Sequence, residues 1–211
     1  MKKYLAEFTG TFFLLSAVVG SGYMATNLTS NIALQLLINA LATIAMLAVI
    51  ISVFADVSGS HFNPVVTLYL LIKKKIKPAN SLGYLLSQIL GAILGTITAN
   101  FMFSSNFIEI STEDRFNSGT FIGEVLATFG LLLVIIAKPS KANYLVPGWI
   151  TTAYFFTAST SFANPAVTLG RIFTDSFAGI APASVLGFIG AQLIALVLVT
   201  WYSISMKLDK S

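Results

Sequence analysis

The sequence predicts an all-α membrane protein built as an inverted repeat, with six membrane-spanning helices and two shorter helices that dip into the bilayer and return. Three observations carry this. Only 9% of the 211 residues are charged and 56% are hydrophobic, whereas soluble domains carry about 25% charged residues. Six apolar stretches each approach the roughly 20 residues needed to cross a hydrocarbon core about 30 Å thick. A set of short motifs also occurs twice, in the same order.

The first stretch, about 4–24, starts with Lys2 and Lys3 like a cleavable signal, but Glu7 interrupts it and it belongs to the repeat, so it is read as a retained span. The next spans are expected at about 32–56, 82–103, 120–137, 143–161 and 183–206, the fifth being broken by Pro147 and several threonines. Two further apolar segments, about 63–72 and 164–174, open on Asn-Pro and are too short to cross. Ten basic residues fall on one side of this layout: Lys2, Lys3, Lys73, Lys74, Lys75, Lys77, Lys138, Lys141, Lys207 and Lys210. Only Arg115 and Arg171 fall on the other, where Glu109, Glu113 and Asp114 also lie. Lys and Arg collect in cytoplasmic connections. Both termini are therefore expected in the cytoplasm and the chain in the cell membrane, with the net charge of +4 serving topology rather than nucleic acid.

The repeat is read from three pairs. Glu7-Phe8-Thr9-Gly10-Thr11-Phe12 matches Glu124-Val125-Leu126-Ala127-Thr128-Phe129, Asn63-Pro64-Val65-Val66-Thr67 matches Asn164-Pro165-Ala166-Val167-Thr168, and Gly83-Tyr84 with Gln88 matches Gly187-Phe188 with Gln192. The whole chain, 1–211, is expected to be one membrane domain with repeats at about 1–103 and 117–206. Each half holds three spans, an odd number, so the second copy must enter from the opposite face, the arrangement that places a site at the membrane midplane. Asn is a good N-cap and Pro suits the first helical position, so each short segment should be a helix beginning at its Asn-Pro. Non-helical backbone at membrane depth is tolerated only in protein or along a water-filled cavity. The two helix N-termini should then meet at the centre and turn their positive dipole ends on one point. That point repels cations and protons. With amide N–H groups of Asn63 and Asn164 in the lumen, passing water must orient away from both, which breaks a proton wire.

The run Ser58-Gly59-Ser60-His61-Phe62-Asn63-Pro64-Val65-Val66-Thr67 and the run Asn164-Pro165-Ala166-Val167-Thr168 resemble the paired signatures of the aquaporin and aquaglyceroporin family, over nearly the whole chain. The resemblance implies an aquaporin-like right-handed bundle, one pore per subunit, a homotetramer, and passive passage of water and small neutral solutes. Glu7 and Glu124 look like the family's buried glutamates, implied to bond the re-entrant loops; a charge within a span usually has such a partner. Two departures stand out. The first motif carries Val65 where the family has alanine. Val167 stands where most members carry the arginine that narrows the outer pore. The resemblance places the other filter positions at Thr43, Thr152 and Ser161, so the filter should be wide and uncharged. The stretch Thr157 to Thr168 is similar to a bacterial branch linked with arsenic resistance, which makes arsenite, methylated arsenicals and glycerol candidate cargo.

Arg171 lies four residues beyond Val167, on the same helical face. It is expected about 6 Å further out, standing in at the outer mouth for the missing arginine, with Asp175 as its partner. His61, the sole histidine, should line the inner vestibule as a static residue. Gly83, Ser87, Gly91 and Gly95 recur every four positions and suggest a close helix seam. A secondary transporter also uses inverted repeats and broken helices, and a non-conducting member of the fold is a further alternative. With one histidine, no cysteine and no close carboxylate pair, little is left for metal, nucleophilic or acid–base chemistry. The sequence therefore names no catalytic residue, metal ligand or cofactor.

Overall fold

The computed structural model describes residues 1–208; Lys210, counted above with the inner basic residues, lies outside them. The helices are α1 (Lys2–Leu28), α2 (Ile32–Ser58), α3 (Pro64–Ile72), α4 (Pro78–Met102), α5 (Ser118–Ala137), α6 (Ala142–Phe156), α7 (Pro165–Gly170) and α8 (Pro182–Ser205). Short 3₁₀ turns at Pro139–Lys141 and Arg171–Phe173 precede α6 and extend α7. Leucine, isoleucine and valine cover the outside, among them Leu86, Leu90, Leu186 and Val197. Their exposure suits a lipid solvent.

Among the described residues, five helices are long and apolar enough to cross a membrane. The expected fifth span, 143–161, is a helix only from Ala142 to Phe156. Its 15 residues rise about 22 Å, short of a full crossing, and the chain continues as the non-helical stretch 157–163. The helix ends where Thr157 turns its hydroxyl back to the Ala153 carbonyl (2.7 Å) and the chain enters a loop tied elsewhere. Pro147 lies inside α6. Having no N–H, it leaves the Asn143 carbonyl without its helical donor.

α1 packs against α2 and α4, and α5 packs against α6 and α8 in the same relation, while α2 against α6 joins the two sets. The small-residue stripe on α4 is a backbone-to-backbone seam with α1. A Cβ on Gly91 would stand 2.4 Å from the Phe8 carbonyl oxygen and one on Gly95 2.3 Å from that of Phe12. Ser16 adds a hydrogen bond across the seam to the Gly95 carbonyl (3.2 Å).

The connection between α4 and α5 is pinned to the segment that follows α7. Ala181 N–H donates to the Glu113 carbonyl (2.7 Å) and Ser111 N–H to that of Ile172 (2.9 Å). The Ser184 hydroxyl donates to Asp114 Oδ1 (2.6 Å). That bond, with the Phe116 N–H, holds the Asp114 carboxyl below the usual carboxylate range.

Candidate functional site: a lumen between two half-helices

α3 and α7 meet head to head. Each begins on an asparagine whose side-chain oxygen caps its own helix. Asn63 Oδ1 accepts from Val65 N–H (3.0 Å), and Asn164 Oδ1 accepts from Ala166 N–H (2.9 Å) and Val167 N–H (3.3 Å). The amide nitrogens cross over. Asn63 Nδ2 donates to the Ala163 carbonyl (2.8 Å) and Asn164 Nδ2 to the Phe62 carbonyl (2.8 Å). An amide carries two N–H groups, so each asparagine keeps one for the lumen it lines. Pro64 and Pro165 occupy the first helical positions, and Val65 is fully buried like Ala166, its counterpart.

The loops leading to these caps are strained in the same way. Ser60 and Phe62 have φ of 51° and 48°, and Ser161 and Ala163 have φ of 55° and 48°. Left-handed backbone costs a non-glycine residue about 1–2 kcal/mol, and buried glutamates hold it in place. Glu7 accepts from Ser58 Oγ (2.6 Å), His61 N–H (3.0 Å), Phe62 N–H (2.7 Å) and Gln88 Nε2 (2.7 Å). Glu124 accepts from Phe162 N–H (2.8 Å), Ala163 N–H (2.9 Å) and Gln192 Nε2 (2.7 Å). Gln88 and Gln192 also donate to Thr67 and Thr168 of the half-helices, both at 3.0 Å. All the matched motifs of the sequence thus converge on one construction made twice.

A cavity of about 600 Å³ runs past both asparagines. Asp56, Ser140 and Asn143 line one end and Thr43, Tyr154 and Arg171 the other, with Leu14, Val18, Val66, Leu131, Val146, Ile150 and Val167 as apolar wall between. Among the described residues, the carbonyls of Ser60, His61, Ser161 and Phe162 along this wall accept no hydrogen bond from the protein. The residues lining the lumen thus combine apolar side chains with backbone carbonyls that have no protein donor among the described residues and with two asparagine amides.

Of the four positions expected to form the filter, Thr43, Ser161 and Val167 line the lumen, each buried. Thr152 does not. It is exposed, and its hydroxyl bonds back to the Trp149 carbonyl (2.8 Å). The lumen face of α6 is Val146, Ile150 and Tyr154. Thr152 stands two residues from each of the last two, about 200° round the helix. Tyr154 takes the inward position, is buried, and donates its hydroxyl to Thr43 Oγ1 (3.1 Å). Tyr154 continues the four-residue stripe of Val146 and Ile150, a stripe whose direction only the packed structure shows.

Arg171 is buried at the outer end, with its guanidinium 3.5 Å from the centre of the Phe162 ring and Nε donating to the Ala178 carbonyl. Asp175 is not its partner: it accepts from Thr112 N–H (2.8 Å) and Thr112 Oγ1 (3.1 Å). Arg115 lies over the same ring (5.9 Å) and donates to the Gly179 (2.6 Å) and Phe177 (2.8 Å) carbonyls. Neither Phe162 nor Arg115 was given a place at the pore from sequence. His61 lines the inner half, its Nδ1 3.0 Å from Thr67 Oγ1 and its ring 4.7 Å from that of Tyr84. Among the described residues no cluster of His, Asp and Glu suited to a metal occurs.

Paired half-helices meeting inside a helical bundle around a lumen define a membrane channel. The chain belongs to the major intrinsic protein family, whose model matches residues 1–161. It is 41% identical over 208 residues to "Aquaglyceroporin AqpS" of Rhizobium meliloti (strain 1021), covering 95% of this chain and 89% of the relative. It is 33% identical over 147 residues to "Glycerol uptake facilitator protein-like 6" of Lactiplantibacillus plantarum, covering 67% of this chain and 65% of that protein. In fold it resembles the crystal structure of the aquaglyceroporin from Plasmodium falciparum, with a TM-score of 0.72 over 100% of this chain and 99% of that one, at 23% identity. The fold is that of an aquaporin, and the protein is an integral membrane channel and not an enzyme.

Proposed function

We propose that this channel passes water and neutral solutes of glycerol size by passive diffusion, with arsenite, a neutral hydroxide of similar size and hydrogen-bonding pattern, as a further cargo. The observation that carries the reading is the lumen itself: a cavity of about 600 Å³ lined by apolar side chains together with the Asn63 and Asn164 amides and by residues whose carbonyls have no protein donor among the described residues. A polyol lays its carbons on the apolar side chains and its hydroxyls on the amides and carbonyls. Beside the outer end, Thr43, Ser161 and Val167 carry no charge, and Val167 leaves open the space an arginine would fill. The relatives named for glycerol support the same cargo.

Ions are excluded twice. At the centre, two helix N-termini, each worth about half a positive charge, face one point. At the outer end, the terminal nitrogens of Arg171 make no hydrogen bond among the described residues, so its full charge acts on the lumen. Four such chains form a homotetramer, each with its own pore, in the cell membrane.

The test is stopped-flow light scattering on proteoliposomes, with water, glycerol and arsenite compared against empty liposomes. Glycerol and arsenite should cross well above the empty-liposome rate. Passage of water alone would overturn the assignment of solute. Arg171→Ala should admit small monovalent cations while water flux stays within about threefold; an unchanged ion leak and unchanged solute selectivity would remove Arg171 from the pore's function.

A further inference from the structure

The filter position that sequence spacing gave to Thr152 is empty of Thr152. The α6 side chain that reaches the outer end of the lumen is Tyr154, two residues on, and it is much larger. Its ring is buried and its hydroxyl is tethered to Thr43 on α2, 111 residues away, at 3.1 Å. The tether spans from one wall of the lumen to the next. Arg171, held by the Phe162 ring and the Ala178 carbonyl, stands at the same end. A phenol ring held at this place takes up far more room than a threonine side chain would.

The polar atoms here are also unequally committed. Tyr154 spends its proton on Thr43, which leaves the tyrosine oxygen as an acceptor. Thr43, unlike Thr151 and Thr157, makes no bond to the preceding turn of its helix, so its own proton is unspent. The Ser161 hydroxyl is buried at the same end and has no partner among the described residues. A buried hydroxyl without a partner is rare, and this one belongs to a residue that lines the path.

We propose that Tyr154 is the specificity-determining residue of this channel. Its ring sets the upper size limit for solutes, and its hydroxyl, locked to Thr43, presents an acceptor beside a donor to a passing polyol hydroxyl. The wide filter implied by Thr43, Ser161 and Val167 is thus closed down by a side chain from a position two residues past the expected one. This rests on the reading of the lumen as a polyol pore. Two properties separate on substitution. Bulk belongs to the ring and survives Tyr154→Phe. Polarity belongs to the hydroxyl and is lost in Tyr154→Phe.

The experiment measures water, glycerol, erythritol and xylitol permeation in proteoliposomes carrying the full chain, Tyr154→Phe, Tyr154→Ala or Thr152→Ala. Tyr154→Ala should raise the erythritol-to-water and xylitol-to-water ratios roughly tenfold. Tyr154→Phe should keep the size limit and lower the glycerol-to-water ratio about threefold, the scale of one lost hydrogen bond. Thr152→Ala should change neither ratio. Water flux through each variant reports that it is folded and open. If Tyr154→Ala leaves the polyol ratios at the wild-type value while conducting water, or if Thr152→Ala shifts them instead, Tyr154 does not set the limit. Wild-type protein that conducts water but no glycerol would overturn the polyol reading itself, a result distinct from either of these.

Discussion

Glu7 and Glu124 show how single residues sustain a costly backbone. Both oxygens of each carboxylate face only donors: backbone N–H groups of the residues just before the asparagine, and the amide of Gln88 or Gln192. A carboxamide has the same shape but offers one oxygen and two N–H groups. Glu124→Gln would therefore set an N–H against either Gln192 or the loop backbone and leave a buried donor unpaired. The expected loss is about 1–3 kcal/mol, read as a lowered thermal midpoint in detergent together with slower water flux as the Asn164 cap loosens. Glu124→Gln with full stability and full flux would show that the loop holds its shape without the carboxylate. The repeat marked both glutamates, which sit at matching places in its two halves, but their role came from the family resemblance and not from the spacing. Tyr154 was not marked, because spacing along the chain says which residue falls at a given depth but not which way a helix turns its face, and that rotation is set by packing such as Trp149 against Gly130.

Between elements, the controlling contact is the seam of α1 and α4. Leucine packing gives no net attraction between helices in a lipid solvent, so association rests on close van der Waals fit at small residues. Gly91 supplies that fit, with the Phe8 carbonyl where its Cβ would be. Gly91→Ala must push the helices apart or distort one of them, and the expected cost is about 1–3 kcal/mol. Gly190 on α8 has nothing within 4 Å of the corresponding point, so Gly190→Ala should leave stability unchanged. Thermal unfolding of the two variants side by side checks the contrast; equal midpoints would mean that α1 and α4 adjust freely. This seam was legible because its signal, a small residue every fourth position, is local. So were both half-helices, whose Asn-Pro heads carry cap and first turn together. The end of α6 was not. Hydrophobicity continues through Phe155 and Phe156, but a few residues further on Phe162 and Ala163 are claimed by Glu124 and by the Asn63 amide across the lumen, partners from distant parts of the chain.

At the scale of the whole molecule, the fold turns the charge pattern into a statement about sides. Tyr4 near the N-terminus bonds Asn80 at the start of α4 (3.0 Å), and Lys75 and Pro139 line one small crevice. The N-terminus and the connections rich in lysine therefore share one face. The stretch 109–113 is bonded to 172–181 on the other face, which carries Arg115 and Arg171. Those two arginines are anchored by the carbonyls of residues 177–179, and the surplus of lysine on the opposite face is the topology signal. It predicts that the lysine face is cytoplasmic. The absence of cysteine makes the test direct, since any thiol introduced is the only one. Asn106→Cys lies in the exposed α4–α5 connection and Lys77→Cys at the head of α4. In intact cells a membrane-impermeant maleimide should label Asn106→Cys and spare Lys77→Cys until the cells are permeabilised. The reverse pattern would invert the molecule, and labelling of both in intact cells would mean that the lysine surplus does not fix one orientation.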